Sequence, residues 1–438
     1  METTAYQEIL KVLRSEVKPA LGCTGPIGVC YAAAEAYDAV RGGKVKHIEA
    51  KLDWGFGTKI DDVAFPGTQM LGVEMAVAMG AIAGNPAYGL EVLKEATPEK
   101  ELEARKVAEL VELIPAWEAD KLGFYAEITI ETDIGVGKAI VMERSDGLVL
   151  KQRDDEVLVK REPDASAQAG KSPMLKYSVK DFYQFAKEAD IADLDFLKTA
   201  AEYNMRLANA TIENNLGAGI GTALYKQSGG NRIMNAKAYA AAGCEARMSG
   251  VNHPAMSCGN KGNVGIAASL PIVSLARDMG KTEEEMQRGI ALSYLTAICI
   301  IHRIGKSPAV CACEVAACLG VTAGATLLMG GTAEQVNNAI QIAIPSMFGV
   351  VCDGAKLACA LRISSGTGVG IEAADLAVAG VRIANNQGVL DVNADKSIDL
   401  LGKTALFGMV DSDRALGRLL YEKRKIFPLQ SFDERQKQ

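Results

Sequence analysis

The chain has 438 residues, 49% of them hydrophobic and 23% charged, which is enough apolar material for a large packed core. A net charge of −7 and only 5% aromatic residues exclude the basic, base-stacking surfaces that nucleic-acid partners require. The first residues, METTAYQEILKVLRSEV, read as an amphipathic helix and not as a signal peptide. A second helix runs through VCYAAAEAYDAV, after Lys18-Pro19 and the loop Gly22-Cys23-Thr24-Gly25-Pro26, and Arg41-Gly42-Gly43 ends it.

The pattern then changes. VKHIEAKL alternates as a strand does, and helical periodicity follows near 69–83 and 98–111. FYAEITIETD, GKAIVMERS and GLVLKQR read as strands, with a turn at Ser145-Asp146-Gly147. Residues 161–175 are polar, hold two prolines and read as a linker. From about residue 177 strand signals nearly vanish, and the helices look apolar on most faces, as central bundle helices are. The apolar run Val315–Gly330 is shorter than a bilayer span of about 20 residues and reads as a buried helix. The C-terminus, YEKRKIFPLQSFDERQKQ, reads as a charged, frayed tail. The expectation is an α+β fold. Residues 1–44 and 177–438 read as helical, and residues 45–160 as a smaller α/β unit. No membrane association is expected.

Histidine is scarce, at positions 47, 253 and 302, and no HxxxH spacing exists, so a histidine-based zinc site is excluded. GAGIGTAL at 217–224 follows a helix and not a strand, so it reads as small-residue packing and not as a dinucleotide fingerprint. SCGNKGNVG at 257–265 has more polar groups than a turn needs and suits the binding of a small carboxylate. Ten cysteines are present, and without an export signal they are expected to be reduced. Roughly half should be packing residues, since free cysteine is commonly buried.

The sharpest pattern is Cys311-Ala-Cys313 followed by Cys352-Asp-Gly-Ala-Lys-Leu-Ala-Cys359. It is neither a zinc knuckle nor a ferredoxin run. Cys352 precedes an Asp-Gly turn, and Cys359 would fall early in the next helix, so both can meet one iron–sulfur cluster. Cys311 or Cys313 would supply the third thiolate. Residues two apart on a helix point in nearly opposite directions, so only one of them should ligate. Three thiolates would leave one iron of a four-iron cluster open for catalysis. Cys23, flanked by glycine in a loop, is accessible and could act as a thiolate base.

These residues resemble the L-cysteine desulfidase family, relatives of the iron–sulfur L-serine dehydratases. The matching stretches are EVKPALGCTGP at 16–26, MSCGNKGNVGIAASLP at 256–271, RIGKSPAVCACEVAA at 303–317 and GVVCDGAKLACALRISSGTG at 349–368. The resemblance implies a [4Fe-4S] cluster on Cys311, Cys352 and Cys359, with Cys311 preferred because it stands three residues before Glu314-Val315. It implies Cys23 as the base and a helical catalytic domain carrying an α/β insertion. Relatives usually have Glu where this chain has Gly25. The activity implied is α,β-elimination of L-cysteine to sulfide, pyruvate and ammonia, without pyridoxal phosphate. Ser257, Asn260 and Asn263 are the candidates for holding the substrate carboxylate. An L-serine dehydratase of the same cluster type and a non-catalytic iron–sulfur relative are the alternatives. The expected partner is a small amino acid, the expected location cytoplasmic, and the expected assembly a homodimer, the commonest oligomer.

Overall fold

A computed structural model describes residues 1–20, 24–63, 71–117, 124–163, 172–305 and 308–424. In chain order the elements are α1 (Thr3–Glu16), β1 (Pro19–Ala20), α2 (Thr24–Val40), β2 (Val45–Asp53), α3 (Trp54–Gly57), α4 (Val73–Ala83), α5 (Pro98–Ala108), β3 (Val111–Ala116), β4 (Tyr125–Thr132), β5 (Val136–Met142), β6 (Leu148–Arg153) and β7 (Glu156–Lys160). There follow α6 (Val179–Glu188), α7 (Ile191–Leu194), α8 (Phe196–Asn214), α9 (Ile220–Gln227), α10 (Arg232–Met248), β8 (Ala255–Met256), α11 (Gly262–Asp278), α12 (Glu283–Ile304), α13 (Ala312–Leu328), α14 (Ala333–Met347), α15 (Cys359–Val378), α16 (Ala394–Lys403) and α17 (Val410–Arg424). The fold is α+β and mostly helical, as expected.

The chain forms two compact units. One comprises residues 1–20, 169–352 and 357–411, the other 21–168, 353–356 and 412–438. These limits differ from the expected 1–44, 45–160 and 177–438, chiefly at α2. That helix is rich in alanine and packs on a sheet: Ala32, Ala33 and Ala36 share a core with Ile48, Ala50, Leu52, Ile128, Ile130 and Val141. Gly137 permits the close approach, since a Cβ there would lie 2.0 Å from the Ala36 carbonyl. The sheet has the order β3-β2-β4-β5-β6-β7, antiparallel except for the β2–β3 pair. The sequence pattern missed β3 and β7. Both are edge strands; β3 contains Pro115, and β7 is mostly exposed and so lacks a clear apolar alternation.

In the helical unit α13 is the central helix. Nearly all of it is buried, and no helix among the described residues is long and apolar enough to cross a membrane. Its neighbours approach through glycine. A Cβ at Gly320 would lie 2.6 Å from the Ser293 carbonyl of α12, and one at Gly370 of α15 would lie 2.8 Å from the Cys318 carbonyl of α13. Capping boxes start α6 (Ser178/Asp181), α12 (Thr282/Glu285) and α14 (Thr332/Gln335). α13 and α15 begin without a side-chain cap, and cysteines stand at both starts.

Candidate metal centre

A short backbone bridge fixes two of the cysteines. Val310 pairs antiparallel with Val351, with Cys311 N–H donating to Val350 O and Cys352 N–H to Ala309 O, both at 2.8 Å. Side chains alternate across an extended segment, so Cys311 and Cys352 project from the same face of this bridge. Cys311 is the N-cap of α13, in extended conformation (φ −72°, ψ 99°), and Cys313 lies in the first turn. Cys359 is the first residue of α15, as its spacing from the Asp-Gly turn predicted.

The thiols form a row. The Cys311 and Cys313 sulfurs are 3.4 Å apart. Cys311 also interacts with Cys352, and Cys313 with Cys359, so the order in space is Cys352, Cys311, Cys313, Cys359. This corrects the argument that Cys311 and Cys313 diverge: the divergence applies inside a helix, and an extended N-cap residue does not obey it. Hydrogen bonds from Cys313 and Cys352, with the charge of Arg362, hold the Cys311 thiol well below its ordinary pKa. Cys313 is driven the opposite way by its bonds to Cys311 and Cys359. The positive ends of α13 and α15 also favour thiolate here. Arg362 reaches the buried Glu314 at 3.4 Å.

The donor set fits a cluster better than a single ion. Four thiolates on one tetrahedral metal, with bonds of about 2.3 Å, would lie about 3.8 Å from one another. Among the described residues, the three-ligand group with all donor atoms within 4.8 Å is His47, Glu49 and Glu112, mostly exposed on the sheet. The cysteine row is therefore more extended than a mononuclear site, and its all-sulfur character suits iron–sulfur chemistry.

α10 brings further groups to the row. Cys244 feels the charges of Cys359 and Cys311, and burial raises its pKa well above the ordinary thiol value. Arg247, 6% exposed, donates to Asn263 Oδ1 at 2.9 Å and lies so close to Gly262 that a Cβ there would be 2.4 Å from the guanidinium. Glu245, fully buried, accepts from the N–H groups of Ala218 (3.0 Å), Ile220 (3.0 Å) and Gly221 (2.6 Å). GAGIG is thus an anion cradle filled by the chain's own carboxylate. Sequence reasoning missed Glu245 and Arg247. The available signal was Cys-Glu-Ala-Arg interrupting an alanine-rich helix, since buried charges need partners.

The carboxylate candidates have separate surroundings. Ser257 donates both its N–H (2.8 Å) and its hydroxyl (2.7 Å) to Lys18 O, beside the β1–β8 pair. Cys23 itself lies outside the described residues. Asn260 is exposed at φ +58° next to Gly259, also at φ +58°, in a tight turn closed by Cys258 and Lys261, which accounts for its residue type by turn chemistry. Asn263, in the first turn of α11, bonds Arg247. His302 pairs with Glu16 at 2.6 Å, and His253 is exposed. Cys30, Cys258, Cys299 and Cys318 are buried apart from the row, as packing cysteines should be. At Gly25 a Cβ would meet the Ile60 side chain at 2.5 Å, so a larger residue there would require Ile60 to move.

Fold and site define a mostly helical α+β protein with a thiol-lined centre at helix N-termini. The model of the serine dehydratase alpha chain family matches residues 87–416, and the chain belongs to that family. Dehydratases of this family carry iron–sulfur clusters. The chain is 34% identical to a UPF0597 protein of Clostridium tetani over 421 residues, covering 95% of this chain and 98% of that one. It is 34% identical to a UPF0597 protein of Bacteroides fragilis (95% and 98%) and 31% identical to one of Caldanaerobacter subterraneus (94% and 98%).

Proposed function

We propose that the chain is an iron–sulfur lyase that eliminates sulfide from L-cysteine, leaving pyruvate and ammonia. The observation that carries this reading is the row of four thiols at the starts of α13 and α15 in a chain of the serine dehydratase alpha chain family. Cys311, Cys352 and Cys359 are the proposed ligands of a [4Fe-4S] cluster, which when bound supplies a Lewis-acidic iron that polarises the leaving group. Cys23 is the proposed base that takes the α-proton. The electron pair released forms the Cα–Cβ double bond as the Cβ–S bond breaks and sulfide leaves. The aminoacrylate tautomerises to an imine, which water hydrolyses. Pyridoxal phosphate has no part in this scheme.

Asn263, with Arg247 beside it, is the proposed carboxylate holder, since a buried guanidinium and an amide donor suit that group. Ser257 and Asn260 would act mainly by shaping the loop. The Cys-Asp-Gly-Ala-Lys stretch at 352–356 favours cysteine as substrate. The family description favours a second reading, elimination of water from L-serine by the same groups. Cytoplasmic action on a free amino acid accompanies either.

The test is anaerobic reconstitution with iron and sulfide, followed by assay of L-cysteine against L-serine for sulfide, pyruvate and ammonia. Sulfide and pyruvate from cysteine are expected. Pyruvate from serine alone would move the protein to the dehydratases. Iron uptake without turnover would make it a binding relative.

A further inference from the structure

The short strap that follows Cys352, residues 353–356, belongs to the α/β unit. Within that unit it is anchored on the turn after α3. Ala355 N–H donates to Lys59 O at 2.8 Å, and Gly354 (φ +100°) comes so close that a Cβ there would lie 2.5 Å from Thr58 O. The strap is also closed on itself: Lys356 Nζ lies 2.5 Å from Asp353 Oδ1 and donates to Gly354 O at 3.1 Å. Side chains hold the anchoring turn in its place. The Lys59 side chain, 12% exposed, pairs at 3.2 Å with Asp413 in the first turn of α17. Removing one partner of so enclosed a pair leaves a desolvated charge behind. Two residues on, Asp61 accepts from Arg424, the last residue of α17, at 2.9 Å, and the same guanidinium reaches Glu74 at 2.7 Å. Helix α17 therefore grips residues 59–61 from near both of its ends.

We propose that Lys59 and Asp413 are positioning residues for Cys352. Their ion pair fixes the Lys59 carbonyl that receives the Ala355 N–H, and the strap carries that constraint back to Cys352, the residue before it. On its other side Cys352 is held by its own N–H bond to Ala309 O at 2.8 Å. Cys352 is half-buried, whereas Cys311 and Cys359 are buried, so it is the proposed ligand that depends most on a clamp on its loop. The consequence for iron rests on the cluster reading above: groups that orient a ligand set metal affinity almost as strongly as the ligand does.

The experiment follows each cysteine separately in the folded apoprotein, by timed iodoacetamide labelling and peptide mass spectrometry, in wild type, Lys59→Met, Asp413→Asn and Lys59→Arg. Lys59→Met should speed labelling of Cys352 about tenfold, as local opening of the strap does, and leave buried Cys30 and Cys318 unchanged. Asp413→Asn should give a smaller rise, because Asp53 also feels the Lys59 charge. Lys59→Arg keeps the charge and should stay near wild type. A merely less stable variant would expose Cys30 and Cys318 along with Cys352, and that pattern overturns the proposal. So does an unchanged Cys352 rate in Lys59→Met. Should Lys59→Met not fold, Asp413→Asn decides by the same two outcomes. Iron is scored separately after anaerobic reconstitution, where Lys59→Met should lose iron to a chelator about tenfold faster than wild type. A wild-type chain that takes up no iron overturns the cluster reading, while the labelling still decides whether the ion pair positions Cys352.

Discussion

Two groups of helix starts in the helical unit present the same electrostatics and resolve it differently. At α9, N–H groups of the Gly217–Gly221 loop converge on an anion, and the chain supplies it as Glu245. At α13 and α15, no side-chain oxygen caps the first turn, and thiols stand there instead. One site is closed by an internal carboxylate; the other has sulfur ligands and the Arg362 charge directed to Cys311. The two meet at adjacent residues of α10, because Glu245 follows Cys244 directly. The difference teaches that an anion-binding geometry is not itself a ligand site. What matters is whether the chain already fills it.

The largest effect should come from the thiol row. Cys352→Ala should lose iron and activity together, with turnover down roughly 10³-fold or more. A fully loaded, active variant would refute its ligand role and reduce the row to packing. Cys23→Ala should lose a comparable part of its turnover yet retain a normal iron count, which separates base from ligand. Full activity in that variant would sink the base assignment.

The filled site should respond in stability and not in iron content. Glu245→Ala withdraws the acceptor from three backbone N–H groups and should cost about 3 kcal/mol, read as a lowered urea midpoint of the apoprotein. Its pH dependence has a definite sign. Burial raises the Glu245 pKa, outweighing the lowering by the N–H groups of Gly221, Ile220 and Ala218. The folded state therefore holds the proton more tightly than the unfolded chain does. The contribution of this group is fully present below its unfolded pKa and is lost as pH rises through its folded pKa. Glu245→Gln should flatten that part of the stability–pH curve; an unchanged curve would show that the carboxyl titrates alike in both states.

Much of this arrangement was legible in the residues because it rests on local rules. Alternation marked β2, β4, β5 and β6, and the Asp-Gly turn placed Cys359 at a helix start. The edge strands β3 and β7 were hidden because proline and solvent exposure remove the alternation. α2 looked like a bundle helix because alanine packs equally well on a helix or a sheet. The convergence of Cys311 and Cys313 depended on one backbone conformation at an N-cap, which spacing does not encode. Glu245 and Arg247 were overlooked for a related reason: their partners come from α9 and α11, 24 or more and 16 residues away in sequence.

The smallest effect sharpens the comparison most directly, because it leaves both anions in place. Gly217 has φ +71°, and a Cβ there would lie 3.1 Å from both Cβ and Oε1 of Glu245. Gly217→Ala should therefore cost about 1–2 kcal/mol, partly from the left-handed backbone and partly from crowding of the carboxylate. If the α9 site and the thiol row act independently, the reconstituted variant should match wild type in iron content and in its response to ferricyanide. A variant that unfolds at lower urea and also sheds iron would show that the Glu245 cradle positions Cys244 and, through it, the thiol row. The closed site would then be a support for the open one.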